Sequence, residues 1–314
     1  MSKGYSFLFG PVRSRRLGRS LGIDLVPLKV CSWDCPYCQV GATTDKTVIR
    51  REYVPVKAVL AEFDDWLAHD GQADCVTLAG GGEPTLHSRF GEVLDAIGAR
   101  SKLRRILLSN GSLFSHPDVR AAACEADVVK ATFSSWDQDS MAALHQPHAS
   151  LTFDTYLDGL KALRAGFKGE YWLEVFVVPG LNDSLGQMSR IAALAAEIRP
   201  DHIHLNTAVR PARDGSTQPV SAVVLRELAS LFKPVAEVIA TVALSPQPPS
   251  SVDFPENPDG RIQGLLQRHP CTASEISASL GLSDAETRDA VERLCREGLI
   301  RREHRDDRDY YLPG

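Results

Sequence analysis

Apolar and polar positions alternate with two different periods through the first three quarters of this 314-residue chain. Short β-branched runs, apolar at nearly every position, suit strands covered on both faces of a parallel sheet. Longer stretches between them carry apolar residues three and four apart, the period of a helix with one buried stripe. Val56, Val59, Leu60, Phe63 and Leu67 form such a stripe. About six βα units can be counted, with strands near residues 21–26, 75–78, 105–108, 128–133, 172–178 and 202–205. This alternation predicts an α/β fold built on a parallel sheet. In barrels of that kind the loops at the carboxyl ends of the strands converge on one mouth. Here those loops hold Cys31 to Cys38, Gly80 to Thr85, Ser109-Asn110-Gly111 and Ser134-Ser135.

The pattern changes at a proline-rich stretch, residues 246–258, which predicts a stiff extended linker. It divides the chain into residues 1–245, the linker, and a small unit at 259–314. That unit reads as three helices and a β-hairpin, the makeup of a winged helix-turn-helix. Its helices carry Ile262, Leu265 and Leu266, then Ile276 and Leu280 before a turn at Gly281, and a third begins at Ser283 with Glu286 completing a capping box. Two short strands are expected at 299–303 and 309–312.

Composition adds little: 43% apolar, 24% charged and a net charge of −5, with no overall pull toward nucleic acid or acidic membranes. No apolar run approaches the roughly 20 residues that span a bilayer. The amino terminus lacks the layout of a secretion signal. A cytoplasmic protein is expected, with reduced thiols rather than disulfides.

Three of the seven cysteines lie in one short loop, Cys31, Cys35 and Cys38 in C-S-W-D-C-P-Y-C. Thiolates are soft ligands that favour iron-sulfur clusters, zinc or copper(I). A closed structural site normally has a fourth ligand, and no fourth cysteine is near. Three cysteines on a four-iron cluster leave one iron open to an external ligand. A zinc knuckle completed by a distant histidine is the alternative.

This C-x3-C-x2-C loop with Tyr37 before its last cysteine, followed by Gly80-Gly81-Gly82-Glu83-Pro84-Thr85, resembles the radical S-adenosylmethionine (radical SAM) superfamily. Gly10-Pro11-Val12, Ser20 to Asp24 and Val178 to Asp183 are similar to an uncharacterised group of Fe-S oxidoreductases, loosely related to wyosine synthases and nitrogenase cofactor maturases. The resemblance implies a partial (β/α)6 barrel with a 4Fe-4S cluster on Cys31, Cys35 and Cys38. It implies reductive cleavage of S-adenosylmethionine to a 5'-deoxyadenosyl radical that takes hydrogen from a substrate, with flavodoxin or ferredoxin as electron donor. Cys75, Cys124, Cys271 and Cys295 are scattered singly, which argues against an auxiliary cluster.

On the same footing, the cofactor contacts are expected from Gly81, Gly82, Glu83 and Pro84, with Glu83 on the methionine ammonium. Tyr37 either meets the adenine or shields iron from water. Ser109 and Asn110 can bond the carboxylate or ribose. Thr132 and Ser134 end the fourth strand, where related proteins more often have a serine and an aspartate. Glu174, an acid in an apolar strand, needs a partner: the cofactor or an ion pair. Asn206, Thr207 and Arg210 fall where substrate is expected. Arg210, with Arg13, Arg15, Arg16 and Arg19, suits an anionic substrate or ion pairs. His145 and His148 read as surface residues of a loop.

The substrate is left open between RNA, a peptide and another anionic molecule docked by the carboxyl-terminal unit. DNA is disfavoured there: residues 259–314 hold eleven acids against nine arginines, and 283–297 hold five against three. A cluster-sensing DNA-binding regulator is the reading from another class.

Overall fold

The computed structural model of the chain describes residues 5–14, 16–69, 71–213, 215, 217–239, 258–268, 270–305 and 308–314. Its elements begin with β1 (Leu8–Ser14), β2 (Gly18–Ile23), the short β3 (Val30–Cys31) and β4 (Asp45–Lys46), and α1 (Val56–His69). There follow β5 (Cys75–Leu78), α2 (Phe90–Arg100), β6 (Arg104–Ser109), α3 (Pro117–Ala123), β7 (Val128–Thr132), α4 (Gln138–His145) and α5 (Phe153–Gly166). Next come β8 (Glu170–Val177), α6 (Leu185–Ile198), β9 (His202–Thr207), α7 (Ala222–Ala229) and β10 (Glu237–Val238). The last group is α8 (Pro258–Leu266), β11 (Cys271–Thr272), α9 (Ala273–Leu280), α10 (Asp284–Arg296), β12 (Ile300–Arg305) and β13 (Arg308–Pro313).

Eight strands form one sheet in the order β1-β2-β5-β6-β7-β8-β9-β10. Every neighbouring pair is parallel except β1 with β2. The six expected strands are β2 and β5 to β9. Among the described residues β1 and β10 do not pair with each other, so the sheet is open along one side. Pattern reading misses β1 because Gly10, Pro11 and Arg13 interrupt it, and the register slips between Phe9 and Val12. The β10 edge pairs over only two residues, too short to show a period.

The helices pack on the outer face of the sheet through their apolar stripes. α1 buries Val56, Val59, Phe63 and Trp66, while Leu60 and Leu67 are partly buried at its flank. Each such side chain contributes about 1.5–3 kcal/mol by leaving water. Capping boxes at Asp137 and Ser184 set the starts of α4 and α6. Inside the sheet, Cys75, Ile106, Val128 and Trp172 from the beginnings of four strands form a plug with Leu17. The plug closes the amino-terminal end and leaves the other end for polar residues.

The linker expected at 246–258 lies outside the described residues except for Pro258, which starts α8. α8, α9, α10 and a three-stranded antiparallel sheet, β11-β13-β12, share a second core around Ile262, Leu265, Ile276, Leu280, Val291 and Leu294. The Ser283–Glu286 capping box stands at the start of α10.

Candidate active site and metal centre

The loop after β2 carries the cysteines and is tied down from several directions. Asn110 Nδ2 donates to Ser32 Oγ at 2.8 Å, and the Ser32 and Ser112 hydroxyls meet at 2.7 Å, joining the loop to the turn after β6. Trp33 stacks on His145 at 4.1 Å. Arg213 pairs with Asp34 at 2.8 Å and donates its backbone N–H to the Cys38 carbonyl. The loop is thus ordered by groups about 80 to 180 residues away in sequence as well as by its neighbours.

Cys31, Cys35 and Cys38 all line one cavity of about 520 Å³, and none is in a disulfide. Burial pushes the Cys31 thiol up to about 11, opposed by the Lys29 ammonium, and pushes the Cys35 thiol higher still. Lys29 is only 5% exposed, and its Nζ lies 3.1 Å from Cys38 Sγ and 3.3 Å from Thr43 Oγ1. Burial works against the charge on Lys29, yet the Cys38 and Cys31 sulfurs outweigh it and hold the ammonium above its usual value. A buried ammonium beside one buried and two half-buried thiols is a set of groups suited to a thiolate-bound, net anionic centre. Among the described residues no three His, Cys, Asp or Glu side chains close on one point as a single metal ion needs. The three thiols line the same cavity, and the residues fit a 4Fe-4S cluster.

Glu83 stands at the next strand end, 2% exposed. Oε1 accepts from Ser109 Oγ at 2.7 Å and from Thr85 Oγ1 and N at 2.5 and 3.1 Å, while Oε2 accepts from Asn110 N at 2.7 Å. Burial raises its pKa, with those hydrogen bonds pulling the other way. Oε2 keeps a lone pair for a further donor, which suits an ammonium group.

The glycines beside it serve the protein's own packing first. A Cβ on Gly80, whose φ is +113°, would lie 1.4 Å from Asp24 Oδ1, and one on Gly82 would lie 1.8 Å from the Val30 carbonyl oxygen. Gly80 and Gly82 line the cavity, whereas Gly81 and Pro84 do not. Gly81 N instead donates to Asp24 at 2.9 Å, and Pro84 opens a single 3-10 turn. Both residues support the loop that carries Glu83.

Other expected residues divide in the same way. Tyr37, Ser109, Asn110, Thr132, Glu174, Asn206 and Arg210 line the cavity. Tyr37 stacks on Phe176 at 4.3 Å and bonds His145 Nδ1 at 2.8 Å, so one face and the hydroxyl are already taken. Asn110 turns its amide to the cysteine loop, 3.7 Å from Cys31 Sγ. Glu174 pairs with Lys130 at 3.0 Å and accepts from Asn206 at 3.0 Å. Burial works against its charge, but Lys130 and these bonds hold its pKa below the ordinary value. Ser134 is fully buried away from the cavity, its hydroxyl accepting from Phe176 N at 2.9 Å. Thr207 is buried between Val177 O and Val220 N. Neither lines the cavity.

One further expectation is corrected. His145 is not at the surface: it is fully buried beneath the cysteine loop, and burial holds it neutral with a pKa lowered to about 3. Three of the arginines make ion pairs, one of the two roles expected for them. Arg210 pairs with Glu275 at 2.7 Å, Arg16 with Glu237, and Arg19 with Asp74 at 3.6 Å. Sequence reasoning passed over Lys29, Asp24 and Lys130, each a single charge beside an apolar run with no recognisable spacing. It also passed over the carboxyl-terminal residues of the cavity, Arg268, Cys271, Glu275 and Ser279.

A smaller cavity of about 230 Å³ shares Lys130, Glu174, Asn206 and Arg210 with the first and reaches His204. His204 is 1% exposed, with Nε2 3.3 Å from Arg16 Nη1. Burial, aided by Lys130 and Arg16, lowers its pKa to about 4, against about 6.5 in an unfolded chain. The folded value is the lower one, so its contribution is intact above pH 6.5 and is lost as the pH falls toward 4. The loss reaches about 3 kcal/mol at most. Thermal unfolding at pH 7 and pH 4.5 is expected to show the decline, and His204→Asn should flatten it; an unchanged slope would contradict this assignment.

Residues 25–190 match the family model described as the Radical SAM superfamily. A UPF0026 protein of Methanocaldococcus jannaschii is 28% identical, over 97% of this chain and 95% of its own length. A Brachyspira hyodysenteriae protein named GTPase Obg is 30% identical over 94% of this chain, which spans only 43% of that protein. This chain contains no G-x-x-x-x-G-K-[ST] segment, the usual phosphate loop of a GTPase. A radical SAM methyltransferase of Sphaerobacter thermophilus shares the fold at a TM-score of 0.52 and 13% identity, over 71% of this chain and 67% of that one.

Proposed function

From the premise that the chain belongs to the radical SAM superfamily of enzymes, with its 4Fe-4S cluster and S-adenosylmethionine as cofactors, we infer that it cleaves S-adenosylmethionine reductively. The observation that carries this is the joint lining of one cavity by three unpaired thiols, the buried Lys29 and the buried Glu83. When bound there, the reduced cluster and S-adenosylmethionine supply a 5'-deoxyadenosyl radical that takes a hydrogen atom from the substrate. Cys31, Cys35 and Cys38 hold the irons. Glu83 Oε2 receives the methionine ammonium, and Asn110 holds the cysteine loop against the strand end that carries Glu83. Trp33, Tyr37 and Phe176 keep water from one side of the centre. Lys130 holds Glu174 ionised, and Asn206 orients it toward the ligand side of the barrel.

The carboxyl-terminal unit, residues 259–314, is read as a winged helix because its helices and hairpin follow that order. A flavodoxin or ferredoxin is the electron donor this chemistry calls for, and the cytoplasm is where reduced thiols and such donors meet. No helix among the described residues is long and apolar enough to cross a membrane. A DNA-binding regulator finds no support, since the acidic α10 opposes phosphate.

Anaerobic reconstitution with iron and sulfide, then dithionite and S-adenosylmethionine, tests the reading. Stoichiometric 5'-deoxyadenosine is expected; a protein whose iron spectrum ignores S-adenosylmethionine and yields none would overturn it. Lys29 provides a finer check. A positive charge beside thiolates favours the reduced cluster, so Lys29→Met is expected to lower the cluster potential by on the order of 100 mV. Redox titration followed by electron paramagnetic resonance reads this, and Lys29→Arg should restore most of the difference.

A further inference from the structure

The open side of the sheet is filled by the carboxyl-terminal unit. On the β1 side, the Arg268 guanidinium lies 4.3 Å over the Phe9 ring and its Nε donates to Asp24 Oδ2 at 2.6 Å. Val12 of β1 packs into the unit's own apolar core. On the β9 side, Tyr310 donates its hydroxyl hydrogen to the Val209 carbonyl at 3.1 Å. Arg305 donates to the carbonyls of Arg210 and Thr217, and Arg210 pairs with Glu275 on α9. The unit therefore holds both sides of the gap, β1 directly and the other side through the segment that follows β9. Below it, Arg16 of the β1–β2 turn reaches Glu237 of β10. Asp24, which receives Arg268, also holds Gly81 N, so the wall is wired to the glycine turn of the cofactor loop.

We propose that the carboxyl-terminal unit is the missing wall of the barrel, and that Ser279 with the Arg210–Glu275 pair selects a small polar substrate enclosed together with S-adenosylmethionine. This rests on the radical SAM reading above and names its substrate class. Size is the first argument. The cavity of about 520 Å³ sits in the lower half of the range typical of drug-sized ligands, and S-adenosylmethionine is itself such a ligand. The cluster and S-adenosylmethionine must share that volume, so a substrate enclosed with them has to be small. A folded macromolecule would have to displace a wall bonded on both edges. Charge is the second argument. Arg268, Arg210 and Lys130 are each matched by Asp24, Glu275 and Glu174, so a strongly anionic ligand would have to break a buried pair. Paired charges and hydroxyls instead suit a neutral or zwitterionic molecule with donors and acceptors of its own.

The test uses the full chain, loaded with its cluster under anaerobic conditions. The response of the iron spectrum to S-adenosylmethionine is read first, since its failure refutes the radical SAM reading and not the wall. Three fractions of a cell extract are then added: dialysable metabolites, RNA and protein. The metabolite fraction is expected to raise 5'-deoxyadenosine formation several-fold, and Ser279→Trp, which fills the cavity from the wall, is expected to lose that response while keeping the iron spectrum. Stimulation by RNA or protein instead, or a Ser279→Trp variant that responds like the parent, would overturn the proposal. If no fraction stimulates, the decision falls to iron removal by a bulky chelator, followed by loss of the cluster absorbance. Arg268→Ala, which releases one edge of the wall, is expected to speed it at least tenfold; equal rates would overturn the proposal.

Discussion

Serine at any one of positions 31, 35 or 38 is expected to strip the iron chromophore from the reconstituted protein and to cut 5'-deoxyadenosine formation by roughly 100-fold or more. A serine hydroxyl is a hard, weakly acidic group that binds iron poorly beside soft sulfide. Of the other four cysteines, Cys271 alone lines the same cavity, and it does so from the carboxyl-terminal unit, outside the loop. Cys75 sits in the plug at the opposite end of the barrel, Cys124 is exposed at the end of α3, and Cys271 and Cys295 belong to the carboxyl-terminal unit. Cys124→Ser is the natural control and should keep both chromophore and product. Absorbance and iron content after anaerobic reconstitution decide the matter. Full iron loading in Cys35→Ser would mean that the cluster is held by a different set.

The second large effect is expected at Glu83. Glu83→Ala removes the acceptor from Ser109 Oγ, Asn110 N and both donors of Thr85. Buried donors left without partners cost about 1–3 kcal/mol each, so this variant should lose at least about 3 kcal/mol of stability. Glu83→Gln separates fold from function. It keeps the shape and most of the hydrogen bonds, but it gives up the negative charge that meets an ammonium. A hydrogen bond to a charged group contributes about 1.5–3 kcal/mol, so S-adenosylmethionine should bind roughly 10- to 100-fold more weakly. Denaturant melts check the first variant and equilibrium binding the second. Unchanged affinity in Glu83→Gln would remove Glu83 from the cofactor site.

How much of this was legible in the chain depends on how far each feature reaches. The strands β2 and β5 to β9, the stripe on α1 and the capping box at Ser283 are local patterns, and they stand where the pattern placed them. The cysteine loop and the Gly80-to-Thr85 segment were legible for the same reason, since loop ligands must be close in sequence to surround one object. Ser134 and Thr207 stand at strand ends without lining the cavity, because a strand-end position does not say which way a side chain points. Ser134 turns inward to buckle Phe176, while Thr132, two residues earlier, lines the cavity.

By itself, then, the sequence determined the α/β order, the three-thiol loop and the acid that follows it, because each is written in periods or spacings of a few residues. Only the tertiary structure decided that Lys29 is buried among the thiols, that His145 lies beneath them, and that Arg210 and Arg268 hold carboxylates rather than await an anion. It also set residues beyond 258 against β1 and the segment that follows β9. These are pairings between groups about 65 to 245 residues apart, or burials created by packing. Their energies depend on solvent exclusion and distance in space, and neither quantity has a period along the chain.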